Sequence, residues 1–192
     1  MKLLEERIRK DGKALPGDIL KVDSFLNHQV DVKLMDELGQ EFYRLFKDSD
    51  PTKILTIEAS GIAIGQAASR YFGFIPVIFA KKSEAANMDP DAYSAKERSY
   101  TRNVDYTIKV AKQYLGPEDR VLILDDFLAN GEAMAALISV CDQAKAKVVG
   151  CGSVICKTYQ PGEKRIKDMG YKVEVLARVK AMSEDGQIEF ED

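Results

Sequence analysis

The sequence predicts an α/β protein: a mostly parallel, doubly wound sheet with a small N-terminal hood. Three observations carry that expectation. Largely apolar, β-rich runs recur at residues 53–57, 75–80, 121–124, 148–155 and 173–179, as strands buried on both faces should read. Stretches of helical period separate them. One run leads directly into Asp125-Asp126 and a small-residue turn before the next helix. At about 150 residues per domain, 192 residues make roughly one domain. The expected organisation is one domain over 1–192, with an N-terminal helix and hood over about 1–50 and an α/β core over 51–192.

Each element has its own warrant. Leu3, Leu4 and Ile8 among charges suggest a short surface helix stopped near Gly12. Residues 14–30 lack a helical period and contain Pro16 and Gly17, so they read as a turn with irregular or short β structure. Asp31 is placed to cap a helix whose apolar face is Leu34, Met35, Leu38, Phe42, Leu45 and Phe46. The strand at 53–57 passes through Glu58-Ala59-Ser60-Gly61 into a helix with Ile64, Ala67, Ala68, Tyr71 and Phe72 on one face. Between Lys81 and Asn103 the pattern dissolves into charge, as in a lid. Residues 104–110 are compatible with strand or helix. Beyond Val121–Leu124, Ala133, Ala136, Leu137, Val140, Cys141 and Ala144 mark another helix, and residues 161–169 look helical.

Composition narrows the class. A formal net charge of −3, with 45% apolar and 31% charged residues, describes an ordinary globular protein rather than a nucleic-acid coat or a disordered chain. Three cysteines (Cys141, Cys151, Cys156), one histidine (His28) and no C-x-x-C exclude the usual zinc frameworks. The cysteines read as small core residues in a reducing cytosol, and His28 as a surface or turn residue. The longest apolar run, residues 71–80, is about half of a membrane span and contains Pro76. No signal-peptide pattern opens the chain. A cytoplasmic protein with neither nucleic-acid nor membrane partners is expected.

The strongest chemical signal is residues 121–133. An apolar strand delivers Asp125 and Asp126 to the carboxyl edge of the sheet, where open α/β sheets bind ligands. Ala129-Asn130-Gly131 then opens a helix whose first N–H groups suit a phosphate. The acids can accept hydrogen bonds from sugar hydroxyls. A strand ending in two merely solvated acids would not need the acids and the small-residue turn together.

This segment resembles the phosphoribosyl-pyrophosphate (PRPP) site of the type I phosphoribosyltransferases. Glu58-Ala59-Ser60-Gly61 stands where that family has its diphosphate loop, Phe79-Ala80-Lys81-Lys82 matches its basic strand end, and residues 98–102 lie where it has a flexible catalytic loop. Residues 20–29 and Lys157-Thr158-Tyr159-Gln160-Pro161-Gly162 are similar to the bacterial xanthine phosphoribosyltransferase branch. The likeness covers nearly the whole chain. It implies that Ala129, Asn130, Gly131, Glu132 and Ala133 cradle the 5′-phosphate through backbone N–H groups, and that Asp125 and Asp126 hold the ribose hydroxyls. It implies that Ala59, Ser60, Lys81 and Lys82 meet diphosphate, and the family often has a non-proline cis peptide at the Ala59 and Ser60 loop. Leu20, Asn27 and Lys157 would form the base pocket. It further implies Mg2+ carried mainly by PRPP, a homodimer, and formation of xanthosine 5′-monophosphate from PRPP and xanthine. No dedicated protein metal site is expected.

One departure bears on the substrate. Some purine members carry an acid where this chain has Ala129, and many have Thr where it has Asn130. No side chain at 129 can act as base, which suits xanthine, the more acidic purine. The alternatives are another purine (guanine, hypoxanthine or adenine) and a non-catalytic PRPP-sensing regulator. Residues 1–46 show no helix-turn-helix with a basic recognition helix, which argues against the regulator.

Overall fold

The computed structural model describes residues 1–82, 91–99, 104–183 and 186–191. The chain opens with α1 (Lys2–Asp11), which buries Leu4 and Ile8 and stops before Gly12. An antiparallel ribbon follows, β1 (Lys13–Leu15) with β2 (Ile19–Lys21), then one wide turn of π-helix over Asp23–Asn27. α2 (Val32–Phe46) starts at the expected cap: the Leu34 N–H donates to the Asp31 carboxylate at 3.1 Å.

The core then alternates as expected. β3 (Lys53–Ile57), α3 (Ser60–Tyr71) and β4 (Val77–Ala80) form one βαβ unit. β5 (Ala92–Ser99) and β6 (Val104–Ala111) make an antiparallel hairpin. β7 (Arg120–Leu128), α4 (Glu132–Ala144), β8 (Lys147–Lys157), α5 (Gly162–Asp168) and β9 (Val173–Met182) continue the alternation, and β10 (Ile188–Phe190) ends it. The main sheet has the order β10-β9-β8-β7-β3-β4. All its pairings are parallel except β10 with β9.

Strand alternation gives the sheet two buried faces. Leu55, Ile57, Val121 and Ile123 pack with Leu137, Val140 and Cys141 of α4. Ile54, Leu122 and Leu124 pack with Leu4 and Ile8 of α1, Leu38, Phe42 and Phe46 of α2, and Ile64 and Ala68 of α3. Each fully buried Val, Leu, Ile or Phe among them contributes roughly 1.5–3 kcal/mol of transfer free energy. α1 and α2 are thus part of the helical layer, and only the ribbon and the π-turn reach towards the carboxyl ends of β7 and β8.

Two expectations are corrected. Residues 92–99 are not patternless: Tyr93 and Ala95 pack inward while Ser94 and Lys96 face solvent, and Gln143 of α4 bonds both backbone groups of Ser94. The consecutive charges Lys96, Glu97 and Arg98 hid this period. The strand at 121–124 does not stop at the acids but runs to Leu128, because Phe127 and Leu128 keep pairing with Ile155 and Cys156 of β8. The remainder of the expected lid, at 83–90 and 100–103, lies outside the described residues. Residues 104–111 are strand.

The three cysteines are free and buried. Burial pushes each thiol up to about 12, so all three stay protonated and act as core side chains. His28 is exposed. Among the described residues no helix is long and apolar enough to cross a membrane.

Candidate active site

Successive connections leave the sheet in opposite directions between β3 and β7, since β4 lies on one side of β3 and β7 on the other. Such a divergence opens a crevice at the carboxyl ends of the two strands. A cleft of about 380 Å³ lies there, lined by residues 57–61, Lys82 and residues 125–134. Ala59, Ser60, Lys82, Asp125, Asp126, Ala129, Asn130, Gly131, Glu132 and Ala133 therefore meet in one place, though they come from three separate parts of the chain.

The two acids differ in setting. Adjacent strand residues point to opposite faces. Asp125 is buried, 4% exposed, and its carboxylate accepts the Asp126 N–H at 2.9 Å. Asp126 is more open: its carboxylate accepts the Phe127 N–H at 2.9 Å and the side-chain amide of Asn27 at 3.4 Å. The acids thus bridge the cleft and the hood.

Beyond them the chain turns at Gly131, whose φ of +80° is the left-handed conformation that favours glycine. The first intrahelical bond of α4 runs from Ala135 to the Gly131 carbonyl at 2.9 Å. No side chain caps this helix end, so its first N–H groups face the cleft as an anion cradle. The start of α5 packs directly on the turn. Gly162 donates its N–H to the Ala129 carbonyl at 2.9 Å, and a Cβ on Gly162 would stand 2.3 Å from that oxygen.

At the β3 side, a non-proline cis peptide joins Glu58 to Ala59, in the loop where the resemblance implied one. The Glu58 carboxylate accepts the Lys82 backbone N–H at 2.6 Å, which anchors β4's end to the loop after β3. Lys81 and Lys82 separate. Lys82 lines the cleft, whereas Lys81 exchanges backbone bonds of 3.0 Å with Lys109 and lines a neighbouring groove with Phe79 and Tyr114. One chain therefore does not bring Lys81 into its own cleft.

The three expected base-pocket residues stand just outside the cleft. Leu20 is buried in the core beside Val22 and Phe25, so its side chain packs rather than lines a pocket. Asn27 is exposed and reaches Asp126. Lys157, 8% exposed, ends β8 and donates to the backbone carbonyl of Asp18, with the Asp18 carboxylate at 3.6 Å. Tyr159 and Gln160 also donate to that carboxylate. Burial first, and then the bond to Asp18, push the Tyr159 phenol up. Asp18 is absent from the sequence-derived residues. Its only signal is the Pro16-Gly17-Asp18 turn, which fixes a bend but not a partner 139 positions away. Arg165 is likewise absent there, although it bonds Glu132 at 2.5 Å and the Asn130 carbonyl at 3.3 Å.

Residues 21–184 match the phosphoribosyl transferase domain. The chain belongs to this family. Among phosphoribosyltransferases it is 51% identical to xanthine phosphoribosyltransferase 2 of Clostridium botulinum strain Hall, over 96% of this chain and 97% of that one. It is 49% identical to the xanthine phosphoribosyltransferase of Pediococcus pentosaceus, over the full length of both. Solved structures repeat the fold at lower identity. Adenine phosphoribosyltransferase from Trypanosoma brucei, in complex with AMP, pyrophosphate and ribose-5-phosphate, superposes with a TM-score of 0.77 at 16% identity, covering 95% of this chain and 82% of that one. The Thermoanaerobacter pseudethanolicus adenine enzyme gives 0.74 at 18%, covering 91% and 99%.

Proposed function

We propose that this phosphoribosyltransferase transfers the 5-phosphoribosyl group of PRPP to xanthine, giving xanthosine 5′-monophosphate and diphosphate. The observation that carries the reading is the meeting, at one crevice, of the Asp125-Asp126 strand end with the uncapped start of α4 behind Gly131. The near-full-length likeness to enzymes named for xanthine supports the choice of base.

The geometry supports the following roles. The backbone N–H groups of 129–133 bind the 5′-phosphate, and Asp125 and Asp126 accept from the ribose hydroxyls. Ala59, Ser60 and Lys82 receive the diphosphate. The C1–O bond breaks with its electron pair leaving on diphosphate, and a nitrogen of the purine, which enters as an anion with its proton already lost to solvent, bonds C1. The sugar carries positive charge between these events, which the neighbouring carboxylates favour. Ala129 offers no base, so a purine that enters already deprotonated suits the site. Asn27, which both donates and accepts, and Lys157, which only donates, read the purine carbonyls.

Among the described residues no three His, Cys, Asp or Glu side chains converge as a metal cage. Magnesium would take its ligands mainly from PRPP oxygens, with Asp125 or Asp126 beside it, and when bound it would supply positive charge to the diphosphate. We further propose a homodimer in which Lys82 serves its own cleft and Lys81, turned towards the neighbouring groove, serves the partner's. We place the reaction in the cytoplasm, where a highly charged sugar phosphate is retained. The test is turnover itself: protein, PRPP, magnesium and xanthine should release diphosphate and xanthosine 5′-monophosphate in equal amounts. PRPP binding without diphosphate release would instead make the protein a regulator.

A further inference from the structure

The cradle assigned to the 5′-phosphate contains an acid. Glu132 is the first residue of α4 and lines the cleft. A carboxylate beside a dianionic phosphate opposes binding, whereas the helix start favours it. The fold brings a cation to this point from another element. Arg165 lies in α5, and its guanidinium Nη1 stands 2.5 Å from the Glu132 carboxylate and donates to the Asn130 carbonyl at 3.3 Å. α5 is held against the turn independently of that side chain. Gly162 bonds the Ala129 carbonyl at 2.9 Å, and Cβ positions built on Gly131 and Gly162 would stand 3.1 Å from the Gly162 Cα and 2.8 Å from the Gly131 N. Two glycine backbones thus meet face to face and fix where Arg165 begins.

We infer that Arg165 is a positioning residue for the phosphate loop: it neutralises Glu132 and holds the Asn130 carbonyl back, so that the loop presents N–H groups and little negative charge to the phosphate. The inference rests on the proposed reading of 129–133 as the phosphate cradle. Both side chains are partly exposed, at 40% and 26%, and such a pair adds little to folding stability. Its effect is local, on the charge that the incoming phosphate meets. Both contacts come from Nη1, whose two N–H groups can each serve one acceptor, the carboxylate and the carbonyl.

The test is a charge-compensation set on the full-length protein: Arg165→Gln, Glu132→Gln and the double variant, with KM for PRPP, KM for xanthine, kcat and Tm for each. Arg165→Gln leaves the Glu132 charge uncompensated and should raise KM for PRPP about tenfold, with KM for xanthine and Tm near the unsubstituted values. The double variant removes the carboxylate as well and should bring KM for PRPP back to within about threefold. A merely structural contact would not be rescued in this way. An unchanged KM in Arg165→Gln, or a double variant as impaired as the single, overturns the inference. Asp125→Asn/Asp126→Asn separates the two levels. If that variant loses turnover while Arg165→Gln has no effect, only the positioning role fails. If that variant keeps full turnover, the reading of the crevice fails with it.

Discussion

Asp126 meets both the cleft and the hood, while Asp125, one residue earlier, is buried at 4% exposure. Substitution should separate them. Asp126→Asn should lower kcat/KM for PRPP by roughly 10- to 100-fold, the loss of one charge-assisted bond or two, with Tm nearly unchanged. Asp125→Asn should lower both kcat/KM and Tm, because its carboxylate is packed within β7. Full activity in both variants would contradict the ribose role. For base choice, Asn27→Ala should narrow the xanthine-over-hypoxanthine ratio and Lys157→Ala should impair both substrates; an unchanged ratio in Asn27→Ala would remove the hood from base selection. The acids and the small-residue turn could be placed together from sequence because each is a local pattern at a strand end, and both line the cleft. Asp18 and Arg165 were not, since their partners lie far along the chain and only tertiary folding brings them within bonding distance. Leu20 was assigned by resemblance alone, and its buried side chain leaves only its backbone for a pocket.

At the level of elements, capping is the most readily measured. The Leu34 N–H, and after it the Arg7 guanidinium at 2.7 Å, hold the Asp31 carboxyl below its ordinary value of 3.8. A lowered folded-state pKa contributes stability at pH above 3.8 and loses it as pH falls through the lowered value. Asp31→Ala should therefore cost about 1 kcal/mol at neutral pH. The Tm gap from the unsubstituted protein should narrow below pH 3.8; a gap constant across that range would contradict the cap. Asp31 could be read from sequence because a cap lies next to the run it starts. β10 could not, since three residues carry too little period to register. The hairpin of β5 and β6 was half hidden for a different reason: the charged run Lys96-Glu97-Arg98 reads as loop, although Tyr93 and Ala95 pack inward.

For the whole molecule, the order β10-β9-β8-β7-β3-β4 turns separate loops into one site. That order was not legible residue by residue; the alternation of buried strands and helices implied only its class. The separation of Lys81 from Lys82 raises the question of assembly. A Lys81→Ala variant and an Asp125→Asn/Asp126→Asn variant should each be inactive alone. Mixed after subunit exchange, they should regain activity, because the Lys81→Ala subunit keeps its acids and receives Lys81 from its partner. No recovery after exchange, or a monomer by sedimentation, would contradict an action across subunits while leaving the proposal of PRPP at the crevice untouched.

The most direct measurement is competition. Xanthine, guanine, hypoxanthine and adenine at equal concentration are offered together with limiting PRPP and magnesium, and the nucleotides formed are identified by mass. Xanthosine 5′-monophosphate should dominate, and Asp125→Asn/Asp126→Asn should abolish it. Predominance of another nucleotide would contradict the assignment of the base, and product from the doubly substituted protein would contradict the crevice between β3 and β7 as the place of transfer.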